Sequence, residues 1–188
     1  MRLHPAAKRI ARAALAGTAC ACLPPWFAPA VASEASPLEV AVKATYLYKF
    51  APFVSWPPGA RRNARSGLCI VGDAPFGETL ERAVAGQSIE GRPIAVRRYA
   101  QADPAAPCMV MYLAGSPAEP VERSLEAMRG APVLTVTDAA RGQSGRGIIH
   151  FVLDEGKVRF EIDNRAATAS GLTISSRLLG LAREVRRE

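Results

Sequence analysis

Apolar and polar positions follow two different periods along this chain, and the two periods alternate. Short, mostly apolar runs that are typical of buried strands are separated by segments with the three- and four-residue spacing of amphipathic helices. The predicted strands are Leu68–Val71, Ile94–Tyr99, Cys108–Leu113 and Val133–Val136. The predicted helices between them are Phe76–Ala85 and Glu119–Met128. This alternation predicts an α/β domain with a mostly parallel sheet and helices on both faces.

Helical spacing also precedes the first of these strands. Apolar residues recur at three- and four-residue steps from Val40 to Val54, which predicts a helix over Leu38–Val54. Pro52 should kink this helix, because proline has no backbone N–H to donate. Pro57 and Pro58 should end it.

The pattern changes to strict alternation near the C-terminus. Two runs, Ile148–Leu153 and Val158–Ile162, flank the turn Asp154–Lys157, so they predict a β-hairpin that makes the sheet mixed. In the second run, every other residue is apolar and should face the core. The alternate positions, which we predict to face solvent or a partner, are Arg159, Glu161 and Asp163.

Two further helices are predicted after the hairpin. Asn164–Ser170 suits a short helix that Gly171 ends. Ser175 or Ser176 could N-cap a final helix. Its apolar residues would be Leu178, Leu179, Ala182 and Val185.

Residues 1–32 have the features of a secretory signal peptide. Four basic residues without an acidic one precede the uncharged run Ala13–Leu23, and Ala30-Val31-Ala32 has the small-x-small pattern of a cleavage site. The alternative is an uncleaved membrane anchor, but prolines 24, 25 and 29 disfavour a continuous helix there. We therefore expect export to the periplasm, no membrane span after cleavage, and one mature domain over residues 33–188.

Cleavage near Ala32 is directly testable. We expect the intact mass of the protein from a periplasmic extract to correspond to a chain that begins near Ser33. A species that retains residues 1–32 would contradict the prediction.

Removing the leader lowers the positive charge of the chain. The full sequence carries +7 from 24 basic and 17 acidic residues, and the leader holds four of the basic residues and no acidic one. The mature domain therefore carries +3, and its basic residues are scattered. We do not expect nucleic acid as a partner, because a basic patch or stripe is the usual mark of such proteins.

Cys69 and Cys108 are the cysteines that remain after cleavage. An even pair in an exported protein favours a disulfide, because that compartment is oxidising. The alternative is two separately buried thiols. If the sheet is wound in the usual way, the two cysteines lie near the starts of neighbouring strands, where a bridge could join them.

Catalytic and metal-binding patterns are sparse. His150 is the one histidine of the mature chain, and alternation places it on the strand face opposite Ile149 and Phe151. With two distant cysteines, it makes no recognisable zinc pattern. No Gly-x-Ser-x-Gly motif is present. We therefore predict a protein that is not an enzyme and needs no cofactor or metal.

Two segments are candidates for binding. The turn after the first predicted strand contains Gly72, Asp73 and Phe76, and such turns bind ligands in many open α/β sheets. A plain strand-to-helix turn is the alternative.

Aromatic residues concentrate in the first helix and just after it, where they could either pack in the core or form an apolar docking or dimer patch. The candidate patch is Tyr46, Phe50, Phe53 and Trp56.

Several motifs together resemble the YfiR/HmsC-type periplasmic regulators across the mature chain. They are Ala44–Phe50, Phe53–Pro57, Leu68–Gly72, Pro132–Asp138, Gly145–Phe151, Val158–Asp163 and Ala169–Leu179. The resemblance implies a small periplasmic α/β domain that often dimerises. It also implies repression of an inner-membrane diguanylate cyclase through its periplasmic domain. An OmpA-like outer-membrane lipoprotein can sequester such a repressor, which raises cyclic-di-GMP and favours biofilm.

The resemblance also carries over to single residues. Cys69 and Cys108 match the disulfide pair of the family, and Glu161 matches a position implicated in repression. The alternative function is a periplasmic module that senses a small ligand without a cyclase partner. The strand-to-helix turn at Gly72 favours that alternative.

Overall fold

The computed structural model describes residues 35–60, 67–139 and 145–187. The helices in these ranges are α1 Pro37–Lys49, α2 Thr79–Val84, α3 Val121–Ala127, α4 Asn164–Ala169 and α5 Ser176–Leu179. The strands are β1 Val54–Ser55, β2 Gly67–Gly72, β3 Ser88–Ile89, β4 Arg92–Pro93, β5 Ala95–Tyr99, β6 Val110–Gly115, β7 Leu134–Asp138, β8 Ile149–Asp154, β9 Lys157–Asp163, β10 Thr173–Ile174 and β11 Glu184–Arg186. The predicted signal peptide lies outside the described residues.

Seven strands form the central sheet, in the order β5-β2-β6-β7-β8-β9-β11. The strands from β5 to β8 are parallel to their neighbours, β9 is antiparallel to β8, and β11 is parallel to β9. Two small sheets pair β1 with β10 and β3 with β4. The predicted mixed, mostly parallel α/β architecture with a C-terminal hairpin is therefore confirmed.

Helices cover the two faces of the sheet unequally. Apolar residues of α1, α2, α4 and α5 pack on one face, where Leu47, Leu80 and Leu178 join the larger core. Helix α3 packs on the other face, against Met111 and Leu113 of β6. The part of this second face formed by β7, β8, β9 and β11 carries mainly polar side chains, because the alternation of each strand turns its apolar residues to the larger core.

Helix α1 begins one residue before the predicted Leu38 and ends early. The Ser36 hydroxyl accepts the N–H of Glu39, which caps the helix start. The predicted continuation to Val54 is wrong, because α1 ends at Lys49 and Ala51–Phe53 forms a 3₁₀ turn. Pro52 cannot donate the N–H that an α-helix needs there.

The predicted final helix is also shorter in the structure. The Ser175 hydroxyl caps α5 as expected, but the helix has four residues and ends before Gly180. Val185, predicted on this helix, lies in β11 opposite Ile162 of β9. Without β11, the outer edge of β9 would expose unpaired backbone N–H and C=O groups. Residues 184–186 form hydrogen bonds with this edge instead of extending the helix, so backbone groups of both segments are paired.

The predicted disulfide is present between Cys69 and Cys108. Cys69 lies in β2, and Cys108 lies just before the neighbouring strand β6. Their Cα atoms are 5.8 Å apart, within the range that a disulfide spans. The bridge therefore joins adjacent strands, as the sequence indicated.

Candidate functional site

Glu161 is buried, contrary to the prediction that it faces solvent. Its relative exposure is 8%. Of the other two residues predicted on this face, Arg159 is exposed and Asp163 is half-buried. The Asp163 carboxylate accepts the N–H of Ala166 and so caps α4. The alternation of β9 is as predicted, but neighbouring side chains and β11 cover the Glu161 position.

Two arginines share the Glu161 carboxylate. Arg146 donates to one of its oxygens, and Arg183 donates to the other at 2.9 Å. Arg146 belongs to the loop before β8, and Arg183 directly precedes β11, where its backbone N–H donates to Phe160. Arg183 also contacts Asp154 at 3.4 Å. Glu161 therefore ties two separate chain segments to the sheet.

His150 lies directly opposite Glu161 on the neighbouring strand. It is buried, with a relative exposure of 3%, and its Nδ1 is 2.8 Å from the Thr137 hydroxyl. Burial lowers the pKa of His150 below its usual 6.5, and the positive charge of Arg146 lowers it further. We call Thr137, Arg146, His150, Glu161 and Arg183 the Glu161 cluster.

The Glu161 cluster is a network of paired charged side chains rather than a ligand pocket. The cavity beside Arg146, His150 and Glu161 has a volume of about 10 Å³, roughly the smallest space that admits one water molecule. The side chains of Arg146 and Arg183 are 40% and 49% exposed. The outer surface of the cluster is therefore formed by guanidinium groups that a macromolecular partner could contact.

A second ionic network lies on the opposite face of the sheet, and sequence reasoning missed it. Lys43 of α1 is almost fully buried, and its Nζ lies 2.5 Å from oxygens of both Glu39 and Asp138. The Tyr112 hydroxyl donates to Asp138 at 3.2 Å. The spacing of Glu39 and Lys43 on one helix was the available signal, since residues four apart share a face.

The turn that was a candidate ligand site is occupied by contacts within the protein. The N–H of Asp73 donates to the Gly115 carbonyl at 2.9 Å. A side chain at Gly72 would clash with the backbone of Gly115, and Gly72 has a φ of 81° that favours glycine. Phe76 is buried with its ring centroid 4.8 Å from that of Tyr112. This geometry favours the plain-turn interpretation.

Half of the candidate aromatic patch belongs to the core. Phe50 and Trp56 are buried, whereas Tyr46 and Phe53 are half-buried. Tyr46 and Phe50 stack on each other, and both rings contact Phe151 and Phe160 of the hairpin. Of the two alternatives that the sequence left open, core packing therefore applies to Phe50 and Trp56.

An open groove lies between α2 and the β3–β4 hairpin. Its volume is about 450 Å³, and its lining includes Glu81, Val84 and Ile94. A hydrogen bond from Arg98 lowers the pKa of the Glu81 carboxyl, which is therefore ionised at neutral pH. The groove offers an apolar wall beside one carboxylate.

Within residues 35–60, 67–139 and 145–187, no three His, Cys, Asp or Glu side chains stand where they could bind a metal ion. No helix of these ranges combines the length and the apolar character that crossing a membrane requires.

Comparison with known families gives a match over most of the chain. The sequence model of the YfiR/HmsC-like family matches residues 40–183, which include most of α1, the disulfide and the whole Glu161 cluster. No curated protein matches the sequence.

Proposed function

Because this chain belongs to the YfiR/HmsC-like family, whose members are periplasmic regulators rather than enzymes, we propose that it represses an inner-membrane diguanylate cyclase. It would bind the periplasmic domain of the cyclase and thereby lower cyclic-di-GMP and biofilm formation. We also propose that it acts as a homodimer and that an OmpA-like outer-membrane lipoprotein can sequester it.

The contacts of Glu161 support the choice of its surroundings as the surface that binds the cyclase. Glu161, the position that the family resemblance links to repression, holds Arg146 and Arg183 in place and is itself buried. A buried carboxylate cannot contribute much direct contact to a partner. Its role in binding is therefore to position the two exposed guanidinium groups and the start of β11.

This role changes the expected effect of a charge reversal. In Glu161→Lys, a third cation would stand beside Arg146 and Arg183 in a partly buried place, where like charges repel strongly. Both arginines should move away, and the surface that they form should be lost. A substitution at an exposed position would instead leave the fold almost unchanged.

The test is cyclic-di-GMP in cells that lack the gene or carry the wild type, Glu161→Lys or Glu126→Lys. Glu126 is the matched control, since it also pairs with an arginine but is 68% exposed on α3. We expect deletion and Glu161→Lys to raise cyclic-di-GMP and Glu126→Lys to leave it at the wild-type level. Unchanged cyclic-di-GMP after deletion would refute repression. A normal response from Glu161→Lys would refute only the choice of surface.

A small-ligand sensor is the second candidate function, and the groove beside Glu81 favours it. The groove has the volume of a small-molecule site, 450 Å³. Its carboxylate is already paired with Arg98 and would accept a further hydrogen bond from a ligand that carries an N–H or O–H donor. A ligand of this class that raises the melting temperature of the wild type but not of Glu81→Gln would support this function over cyclase repression.

A further inference from the structure

We infer that His150 is a positioning residue of the Glu161 cluster and makes the Arg146–Glu161 ion pair sensitive to protons. The effect on repression rests on the proposed function, whereas the effect of protons on the ion pair rests only on the contacts within the Glu161 cluster. One hydroxyl, that of Thr137, contacts both His150 and the loop that carries Arg146.

The hydrogen bonds of Thr137 fit a neutral imidazole. The N–H of Gly147 donates to the Thr137 hydroxyl oxygen at 2.8 Å. The hydroxyl hydrogen is then free to donate to Nδ1 of His150, which lies 2.8 Å away. An accepting Nδ1 belongs to a neutral imidazole with its hydrogen on Nε2. Neutral His150 therefore completes the chain of hydrogen bonds that holds the loop before β8.

Charged groups of every neighbouring element act on His150, and Asp138 does so from the opposite face of the sheet. Arg146 of the loop and Arg186 of β11 disfavour a positive imidazole, whereas Glu161 of β9 and Asp138 of β7 favour it. Asp163 of β9 also borders the small cavity beside the ring. Burial and the arginines prevail at neutral pH, so the ring stays uncharged while Arg146 keeps its pairing with Glu161.

A proton on Nδ1 would change three contacts together. The Thr137 hydroxyl could no longer donate to the ring, because both ring nitrogens of a charged histidine are donors. The new cation would lie beside Glu161, since directly opposed residues of antiparallel strands have Cβ atoms about 5 Å apart. It would compete with Arg146 for the carboxylate and repel it. Acid therefore loosens Arg146 and the loop at Gly147.

The sign of the pH dependence follows from the direction of the shift. The pKa of His150 is lower in the folded protein than in the unfolded chain. Between these two values, the unfolded state binds more protons, so stability rises with pH. The contribution of His150 is therefore complete above about pH 6.5 and is lost as the pH falls through the lower folded value.

The first test is amide hydrogen exchange of the purified exported protein, measured by NMR at pH 7 and pH 5 and corrected for the intrinsic rates. We expect the protection of the Gly147 amide to be lower at pH 5 than at pH 7, because a charged His150 disturbs its contact with Thr137. In His150→Gln, which cannot titrate, this protection should not depend on pH. In the wild type, the amide of Cys69, in the distant strand β2, should lose less protection than the Gly147 amide. Equal pH dependence in wild type and variant would overturn the inference.

The second test does not depend on the folding of a variant. The imidazole signal of His150 in the wild-type protein should titrate with a midpoint below 6.5. A midpoint at or above that value would overturn the inference by itself. In cells, repression by the wild type should weaken in acidic medium and repression by His150→Gln should not. If deletion leaves cyclic-di-GMP unchanged while the exchange result holds, only the proposed function fails.

Discussion

Replacing Lys43 with alanine is expected to lower the free energy of unfolding by about 3–5 kcal/mol. The ammonium group is 1% exposed and lies between the carboxylates of Glu39 and Asp138. Without it, the Asp138 carboxylate would stay buried, with a relative exposure of 3%. Its hydrogen bond from Tyr112 would remain, but loss of the cation beside a buried carboxylate is among the costliest changes that one substitution can make.

Lys49→Ala supplies the matched control, because Lys49 lies on the same helix but is exposed. We expect it to change the free energy of unfolding by about 0.5 kcal/mol or less. Urea denaturation of both variants measures the difference. In the double variant Lys43→Met/Asp138→Asn, the loss in free energy of unfolding should be smaller than the summed losses of Lys43→Met and Asp138→Asn, because the two groups interact. If Lys43→Ala costs no more than Lys49→Ala, the network does not stabilise the fold.

Removal of the disulfide is expected to cost about 3–4 kcal/mol, which follows from closure of a 39-residue loop in the chain-entropy model. Cys69 and Cys108 are both buried in the smaller core, on the face that α3 covers. The double variant Cys69→Ala/Cys108→Ala avoids the additional cost of a buried hydroxyl that serine would bring. Its melting temperature should fall well below that of the wild type.

Reductant provides the control for this prediction. Unfolding of the wild type in guanidinium chloride should move to a lower midpoint when dithiothreitol is present, and unfolding of the double variant should not move. Thiol labelling of the denatured, non-reduced wild type should find no reactive cysteine. Two reactive thiols in each chain would show that the bridge does not form.

The Glu161 cluster explains why solvent exposure was predicted incorrectly at Glu161. Alternation along β9 assigns Glu161 to the face away from the larger core, and the structure agrees with that assignment. Alternation says nothing about which distant residues cover that face. Arg146 and Arg183 reach Glu161 from 15 and 22 residues away. Whether these arginines cover Glu161 depends on the path of the chain rather than on any local pattern.

Local pattern by itself determined the α/β class, the hairpin of β8 and β9, the start of α1 and the pairing of Cys69 with Cys108. Each of these depends on periodicity, on a capping residue or on the small number of cysteines. Only the tertiary structure decided that β11 pairs with β9, that Lys43 lies between two carboxylates, and that Glu161 is covered by two arginines. These features join residues far apart in the chain. The sequence leaves many pairings of polar residues equally possible, and burial favours the pairings that leave no buried polar group without a partner.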